Sequence, residues 1–179
     1  MTDKKTTIVT APEIAEMVVA LADAILQWDD IGNIALIGVR SRGVHLARRL
    51  QAELASRHQT TVPLGILDIT LYRDDLGAGL ASPLVRGTEI DFNITGLTLV
   101  LVDDVLYTGR TVRAALDQLI DFGRPRAIKL AVLIDRGLRE LPIAPDAIGK
   151  VVTTAPGEDV DVLLEEQDGC DEVRLVTET

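Results

Sequence analysis

Three runs that are almost entirely apolar constrain the fold of this chain more than any other feature. They cover residues 34–39, 97–102 and 128–134, and each ends in a short polar loop that contains a glycine. A strand whose residues are all apolar is typical of a parallel sheet that is covered on both faces. Helical spacing of apolar residues follows the first two loops. The sequence therefore predicts an α/β fold around a central, mainly parallel sheet that is flanked by helices.

The helices are predicted from apolar residues at helical spacing. The first pattern begins after Thr10, which together with Glu13 has the spacing of a capping box. The same spacing predicts helices over residues 46–54 and 112–119, and the second of these stops at Gly123. Each of these two helices follows one of the apolar runs, as the crossover units of a parallel sheet require.

Further β-structure is predicted outside the three runs. Residues 63–72 are β-prone, and they lead into small and charged residues through Gly87 that predict a loop or hairpin. Residues 160–164 and 172–176 flank a QDGCD turn and predict an antiparallel hairpin at the C-terminal end.

The composition limits the class of protein. We expect residues 1–179 to form a single domain, because 179 residues with 47% hydrophobic side chains suffice for one core. Aromatic residues make up only 3% of the chain, which disfavours stacking on single-stranded nucleic acid. The net charge of −10 argues against a DNA-binding protein, since affinity for DNA comes largely from basic groups.

The acidic excess is concentrated at one end of the chain. Residues 153–179 contain nine acidic residues and one basic residue, a net charge of −8, which leaves −2 for the rest. The body of the domain is therefore nearly neutral. The arginines in the loops after the apolar runs are therefore predicted to be available for binding anions.

Cysteine content and hydropathy bear on the cellular setting. The single cysteine cannot form an internal disulfide, and one cysteine with two histidines is too few for a zinc cluster. The N-terminal residues are polar, unlike a signal peptide, and no apolar run approaches the roughly 18 residues that span a bilayer. We therefore expect a cytoplasmic protein that does not contact a membrane.

The polar loops after the three runs are the candidate site. They read RSRG (residues 40–43), DDVLYTGRT (residues 103–111) and DRG (residues 135–137). Ligands of open α/β sheets bind at the carboxyl ends of the strands, so we expect these loops to line one cleft. Neither a Walker loop nor a GxGxxG turn occurs, which excludes the usual nucleoside triphosphate and dinucleotide cradles.

The central loop carries the clearest chemical pattern. A helix N-terminus after Gly109 offers free backbone N–H groups to a phosphate, and the hydroxyls of Thr108 and Thr111 can add hydrogen bonds. The carboxylates of Asp103 and Asp104 stand a few residues before it, where they can accept hydrogen bonds from ribose hydroxyls. This combination favours a phosphorylated sugar over a simple strand-end turn with a helix cap.

The two outer loops allow alternative interpretations. Arg40 and Arg42 can be solvated loop charges, but with Gly43 and a following helix start they also form a plausible second anion site. Asp135 and Arg136 can equally be an ordinary exposed ion pair. Position at the ends of buried strands is what favours a binding role for both loops.

The stretch LVLVDDVLYTGRT (residues 99–111) resembles the phosphoribosyl pyrophosphate signature of type I phosphoribosyltransferases. Together with GVRSRGVHLARRL, LDITLYRDDL, GRPRAIKLAVLIDRG and RELPI, it is similar to one branch of that family. This is the PyrR type, which comprises bifunctional pyrimidine-operon attenuation regulators and uracil phosphoribosyltransferases. The resemblance covers about residues 34–150 and implies the type I phosphoribosyltransferase fold with a small hood.

The resemblance also implies an activity. Members of this branch transfer the ribose 5-phosphate group of phosphoribosyl pyrophosphate to uracil with Mg²⁺, which gives UMP and pyrophosphate. Such a pentosyltransferase is a homo-oligomer, here expected to be a dimer or tetramer. Another base specificity, such as a purine, stays open, because base choice depends on hood residues that the sequence does not position.

Residue roles are carried over from the same resemblance. It implies that Asp103 and Asp104 bind the ribose hydroxyls and, through the substrate, the metal, and that Arg42 and Arg73 stabilise the leaving pyrophosphate. The remaining residues that it implies in substrate binding are Ser41, Gly43, Tyr72, Val105, Leu106, Tyr107, Thr108, Gly109, Arg110, Thr111, Asp135 and Arg136.

The regulatory function of the branch is where this chain departs from the pattern. Members that bind pyrimidine leader RNA carry polar and basic residues on the first helix, at positions assigned here to Val18, Val19, Ala22 and Gln27. A histidine and an arginine of the family correspond to Leu138 and Ala144, whereas Arg139 and Lys150 remain. We therefore expect weakened RNA binding. The alternative function is a UMP-responsive RNA-binding attenuation regulator with little catalytic role.

Overall fold

The fold consists of two sheets of unequal size. The computed structural model describes residues 4–69 and 87–177. In chain order its elements are β1 (Lys4–Val9), α1 (Ala11–Ile25), β2 (Ile34–Val39), α2 (Arg42–His58), β3 (Leu64–Leu67), β4 (Thr98–Leu106), α3 (Arg110–Leu119), β5 (Ala127–Asp135), β6 (Ala147–Val151), β7 (Glu158–Leu163), α4 (Glu165–Asp168) and β8 (Glu172–Thr177).

The larger sheet is parallel throughout and has the strand order β3-β2-β4-β5-β6. Its three central strands are the three apolar runs, and β2 is buried over its whole length. One hydrophobic cluster joins this sheet to α1, α2 and the smaller sheet, and a second joins it to α3. The predicted parallel sheet with helices on its faces is confirmed.

The smaller sheet is antiparallel and has the order β1-β8-β7. The predicted C-terminal hairpin of β7 and β8 is present, but it is incomplete as a description. Residues 4–9, for which the sequence predicted no strand, pair with β8 and make the sheet three-stranded. The predicted turn between the two strands contains the one-turn helix α4. This smaller sheet, together with α4, is called the hood below.

β4 is longer than the apolar run predicts. The sequence places Asp103 and Asp104 in a loop, whereas the structure places both within the strand. The reason is backbone pairing: the parallel ladder with β5 continues until Leu106 lies opposite Asp135. Pairing of main-chain groups therefore extends the strand through side chains that have low strand propensity.

The start of α1 follows the predicted capping box. The Thr10 backbone N–H and hydroxyl both donate to the Glu13 carboxylate, at 2.7 and 2.8 Å. The backbone hydrogen bond from Thr10 is the largest cause of a lowered pKa at Glu13. None of the helices within residues 4–69 and 87–177 has the length and apolar character needed to cross a membrane.

α2 packs against β4 at Gly43, where the backbones come close. A Cβ atom at this position would lie 2.5 Å from the Val102 carbonyl oxygen and 3.2 Å from the Asp103 Cα. Only glycine allows that approach without a shift of one element. The start of α2 is thereby held directly against the part of β4 that carries the acidic pair.

We predict that Gly43→Ala destabilises the fold by about 1–3 kcal/mol, because the added methyl group must push α2 away from β4. Gly32→Ala is the matched control, since a Cβ atom there meets no atom within 4 Å. Urea unfolding measures both variants. Equal stability of the two variants would contradict the close approach.

Candidate active site

The carboxyl ends of β2, β4 and β5 meet at one edge of the larger sheet, as the sequence predicts. A cavity of about 270 Å³ opens there and is called the acidic cavity. Its lining consists of Val39, Arg40, Ile69, Asp103, Asp104, Val105 and Thr111. The cavity thus combines the acidic pair with the hydroxyl of the following helix and with one arginine.

The acidic pair is buried unequally. Asp103 is only 7% exposed, and Asp104 is partly buried. Each carboxylate accepts the backbone N–H of the next residue at 2.9 Å, so the backbones of Asp104 and Val105 hold the two side chains. Burial, followed by the charge of Asp104, raises the pKa of Asp103 well above its usual range. The pair therefore concentrates negative charge that a cation or a hydroxyl donor can relieve.

The loop of residues 105–111, here called the phosphate loop, leads from β4 into α3. Gly109 is the N-cap residue and has a φ of +92°, which glycine adopts without strain. The backbone N–H groups at the start of α3 have no carbonyl partners within the helix and carry the positive end of its dipole. The loop can therefore hold a phosphate, as its sequence predicts.

The chain that follows β5 holds the phosphate loop in place through hydrogen bonds. The Thr108 carbonyl accepts the backbone N–H groups of Glu140 and Leu141, at 3.0 and 3.2 Å. Arg139 donates to the Tyr107 carbonyl at 2.9 Å and forms an ion pair with Asp135 at 2.7 Å. These contacts fix the loop's shape before any ligand arrives, which is a condition for tight phosphate binding.

The loop between β2 and α2 places Ser41 and Arg42 at the same edge of the sheet, and its Arg40–Ser41 peptide bond is cis. Arg42 is not a free cation there. Its guanidinium makes two hydrogen bonds, of 2.9 and 3.1 Å, with Asp168 in α4. These bonds are the largest cause of a lowered pKa at Asp168. The sequence offered no signal for this partner, because the two residues are far apart in the chain.

Arg40 has a larger part in the site than the sequence predicts. It lines the acidic cavity, and its Nη2 donates to the Gly87 carbonyl at 2.7 Å. Asp68 and Glu89 also lie within 4 Å of its guanidinium. The sequence indicated this residue only together with Arg42, either as a solvated loop charge or as part of a second anion site.

A second cavity, of about 520 Å³, lies between the two sheets and is called the inter-sheet cavity. Tyr107 of the phosphate loop and Arg136 form one wall, and residues of the smaller sheet and its loops form the other. Its lining consists of Lys5, Tyr107, Arg136, Gly157, Glu158, Asp159, Asp161 and Val176. Tyr107 therefore connects the phosphate loop with a space large enough for a planar base.

The donor atoms in the acidic cavity fit a hard divalent cation. Carboxylate oxygens are the ligands that Mg²⁺ prefers, and the acidic pair offers them. A bound cation would also lower the raised pKa of Asp103. Within the described residues no group of three or more histidine, cysteine or acidic side chains could hold a metal by itself. A bound Mg²⁺ ion would therefore take further ligands from substrate oxygens and water.

Comparisons with known proteins agree with this geometry. Residues 5–164 match the family model described as a phosphoribosyl transferase domain. The chain belongs to the phosphoribosyltransferase family. A hypoxanthine-guanine phosphoribosyltransferase from Bacillus anthracis has the same fold, with a TM-score of 0.70 and 20% identity, over 99% of this chain and 100% of that chain.

Relatives called bifunctional protein PyrR are similar over most of the chain. The protein of Deinococcus deserti is 51% identical over 176 residues, which are 98% of this chain and 96% of its own length. That of Pelotomaculum thermopropionicum is 57% identical over 145 residues, which are 81% and 80% of the two chains. The resemblance to the PyrR branch of the phosphoribosyltransferases is confirmed.

The structure brings most of the predicted site residues of this phosphoribosyltransferase to one edge. Tyr72 and Arg73 lie outside the described residues. Asp135 ends β5 and accepts the Gly137 backbone N–H at 2.9 Å, while Arg136 is 7% exposed, so the pair is not the exposed surface pair that the sequence left open.

The first helix corrects one part of the sequence-based prediction. Val18 and Ala22, which were assigned to positions of an RNA-binding face, are buried in the core beneath α1. Their apolar character follows from packing and carries no information about RNA. Val19 and Gln27 are exposed, as are Leu138 and Ala144.

We predict that Asp103→Asn raises the free energy of unfolding at pH 7. Folding raises the pKa of this carboxyl, so the ionised form opposes folding, and stability falls as pH rises from the unfolded pKa of about 3.9 to the folded pKa. The gain is about 1.4 kcal/mol for every tenfold difference between the acid dissociation constants of the folded and unfolded states. It shrinks as pH is lowered through the folded pKa.

Urea unfolding of Asp103→Asn between pH 4 and pH 8 tests this prediction. Asp117→Asn on the exposed face of α3 is the matched control and should change stability by less than about 0.5 kcal/mol at every pH. A variant at Asp103 that is less stable than the wild type at pH 7 would show that the ionised carboxylate is stabilising.

Proposed function

We propose that the protein is a uracil phosphoribosyltransferase that transfers ribose 5-phosphate from phosphoribosyl pyrophosphate to N1 of uracil and releases pyrophosphate. The observation that carries this proposal is the acidic pair in β4 immediately before a braced phosphate loop at a helix N-terminus. The relatives called bifunctional protein PyrR support the choice within the family.

Each half of the substrate has a matching partner. The 5′-phosphate would lie on the backbone N–H groups of residues 109–112, with the hydroxyls of Thr108 and Thr111 beside them. The ribose hydroxyls would donate to Asp103 and Asp104, whose acceptor oxygens line the acidic cavity. Such contacts to non-reacting groups position the anomeric carbon for attack.

The chemistry needs positioning and charge more than a covalent nucleophile. N1 of uracil forms a bond to the anomeric carbon while the bond to pyrophosphate breaks, and the uracil N1 proton is released. Positive charge develops on the ribose, and the nearby carboxylates of the acidic pair stabilise it. Mg²⁺ bound with the substrate would neutralise charge on the leaving pyrophosphate.

The base would enter the inter-sheet cavity beside Tyr107. This cavity adjoins the phosphate loop, since Tyr107 of that loop is one of its lining residues. The solved relatives of similar fold include proteins named for hypoxanthine and guanine, but at about 20% identity they support only the fold. Base preference is therefore decided by experiment.

We expect UMP to form when the protein is incubated with phosphoribosyl pyrophosphate, Mg²⁺ and uracil, and little product from hypoxanthine, guanine or cytosine. Asp104→Asn should lower kcat/KM by at least about 100-fold, the usual order for loss of a group that stabilises developing charge. Asp117→Asn, an exposed acid on α3, should retain full activity.

Product formation is followed by chromatography of the nucleotide and by release of pyrophosphate. A purine nucleotide as the main product would replace uracil in the proposal. Absence of any nucleotide would contradict catalysis and would favour the alternative, a UMP-binding attenuation regulator with little catalytic role.

For the regulatory half, we propose that binding to pyrimidine leader RNA is weak. The two basic residues that match the RNA-binding pattern contact the chain itself: Arg139 donates to the Tyr107 and Ile143 carbonyls, and Lys150 donates to the Ile8 carbonyl at 2.9 Å. Leu138 and Ala144 are exposed and apolar beside them. To bind phosphates, these two cations would have to exchange hydrogen-bond partners within the chain, and their exposed neighbours add no charge.

A gel-shift titration with pyrimidine leader RNA in the presence of UMP measures this affinity. We expect only salt-sensitive binding in the non-specific range, with a Kd above about 1 μM. Ala144→Arg should tighten binding several-fold, whereas the uncharged Ala144→Gln should not. Tight and sequence-specific binding by the wild type would contradict the proposal.

A further inference from the structure

Arg136 is the most completely enclosed cation among the described residues of the site. It follows the last residue of β5, and its guanidinium crosses to the smaller sheet. There Nη2 donates to the Glu158 carbonyl at 2.7 Å, Nη1 pairs with Asp159, and Thr154 lies 3.4 Å away. The charge is thus used to join the two walls of the inter-sheet cavity.

The same guanidinium stacks on an aromatic ring. The Arg136 Cζ lies 4.0 Å from the centroid of the Tyr107 ring, within the range of a cation–π contact. Tyr107 is 43% exposed, so the part of its ring that Arg136 does not cover remains open to the inter-sheet cavity. Arg136 therefore supports an aromatic surface that a ligand can reach.

The third nitrogen of Arg136 is also enclosed. Its Nε is shielded from solvent and has no hydrogen-bond partner among residues 4–69 and 87–177. A buried donor without an acceptor is rare and costs stability, so the surrounding contacts must hold the side chain in place. Both side chains line the cavity, but the Tyr107 ring is the more exposed of the two, so a ligand meets mainly the ring.

We propose that Arg136 is a positioning residue that acts through Tyr107: it fixes the phenol ring as the wall against which the planar base lies. The inference rests on the proposed function, and it differs from a direct contact between Arg136 and the base. An exposed ring that is already held loses less freedom when the base binds, which favours binding. Lysine cannot replace arginine here, since it lacks the flat fork that stacks and bonds two acceptors.

A double-mutant cycle on Arg136→Lys and Tyr107→Leu tests this role. Each single variant should lower kcat/KM for the base by about tenfold, through KM for the base, while KM for phosphoribosyl pyrophosphate changes by less than about twofold. Because both act through one contact, the double variant should also lose about tenfold, whereas independent roles predict about 100-fold.

Two controls accompany the cycle. Tyr107→Phe keeps the ring and should restore most of the activity that Tyr107→Leu loses. Arg57→Lys is the matched substitution on α2, where Arg57 pairs only with the surface residues Asp23 and Glu53 among its described contacts. The cycle uses whichever base the wild type turns over fastest, so failure with uracil contradicts the proposed function and leaves this inference testable.

NMR of the arginine side chains gives a readout that is independent of turnover. The Arg136 Nε proton should be shifted upfield by the Tyr107 ring, and Tyr107→Leu should remove this shift. An additive loss in the cycle, or an Nε resonance that does not respond to Tyr107→Leu, would overturn the proposal. If urea titration shows that Arg136→Lys does not fold, the Arg136 Nε resonance is compared between the wild type and Tyr107→Leu, and that comparison decides the proposal.

Discussion

Arginine–carboxylate pairs between the two sheets are the interactions on which the active-site cleft depends. Arg49 on α2 binds Glu166 and Asp171 at 2.6 and 2.7 Å, and Arg42 on the same helix binds Asp168. Hydrogen bonds from Arg49 are the largest cause of the lowered pKa values of Glu166 and Asp171. The hood is therefore fastened to the main sheet by charge as well as by apolar contact.

These pairs explain where part of the C-terminal negative charge is used in the fold. The C-terminal segment carries most of the net negative charge, and arginines on α2 and after β5 compensate part of it internally. Some of this acidity lies near the phosphate loop, because Glu158, Asp159 and Asp161 line the inter-sheet cavity together with Tyr107. The acidity also imposes a condition on Arg42: a leaving pyrophosphate that binds its guanidinium must compete with Asp168.

Local sequence patterns predicted the elements whose residues are buried on all sides or capped. β2, the apolar part of β4, and β5 follow from runs that are almost entirely apolar, and α1 from its capping box and spacing. β1 and β6 were not predicted, because each is short and lies at the edge of its sheet, and neither has a run of buried residues. Their strand conformation comes from partners elsewhere in the chain, which local propensity does not reveal.

The residues of the site differ in the same way in how far the sequence predicts them. The phosphate loop and the acidic pair are contiguous, so one stretch of sequence predicted both. The partners of Arg42 and Arg136 lie 126 and 23 residues away, and only the folded chain shows that these cations are already engaged.

The active edge of the sheet is also where the rules for stable packing are broken. Asp103 places a carboxyl group in a buried strand, and Gly43 and Gly109 put flexible backbone at the starts of two helices. The buried carboxyl costs stability relative to an apolar residue, whereas the two glycines meet backbone requirements that alanine would satisfy only with strain. Because Asp103 lines the acidic cavity, ligand binding accounts for its buried carboxyl, and the apolar core of the same sheet offsets the cost.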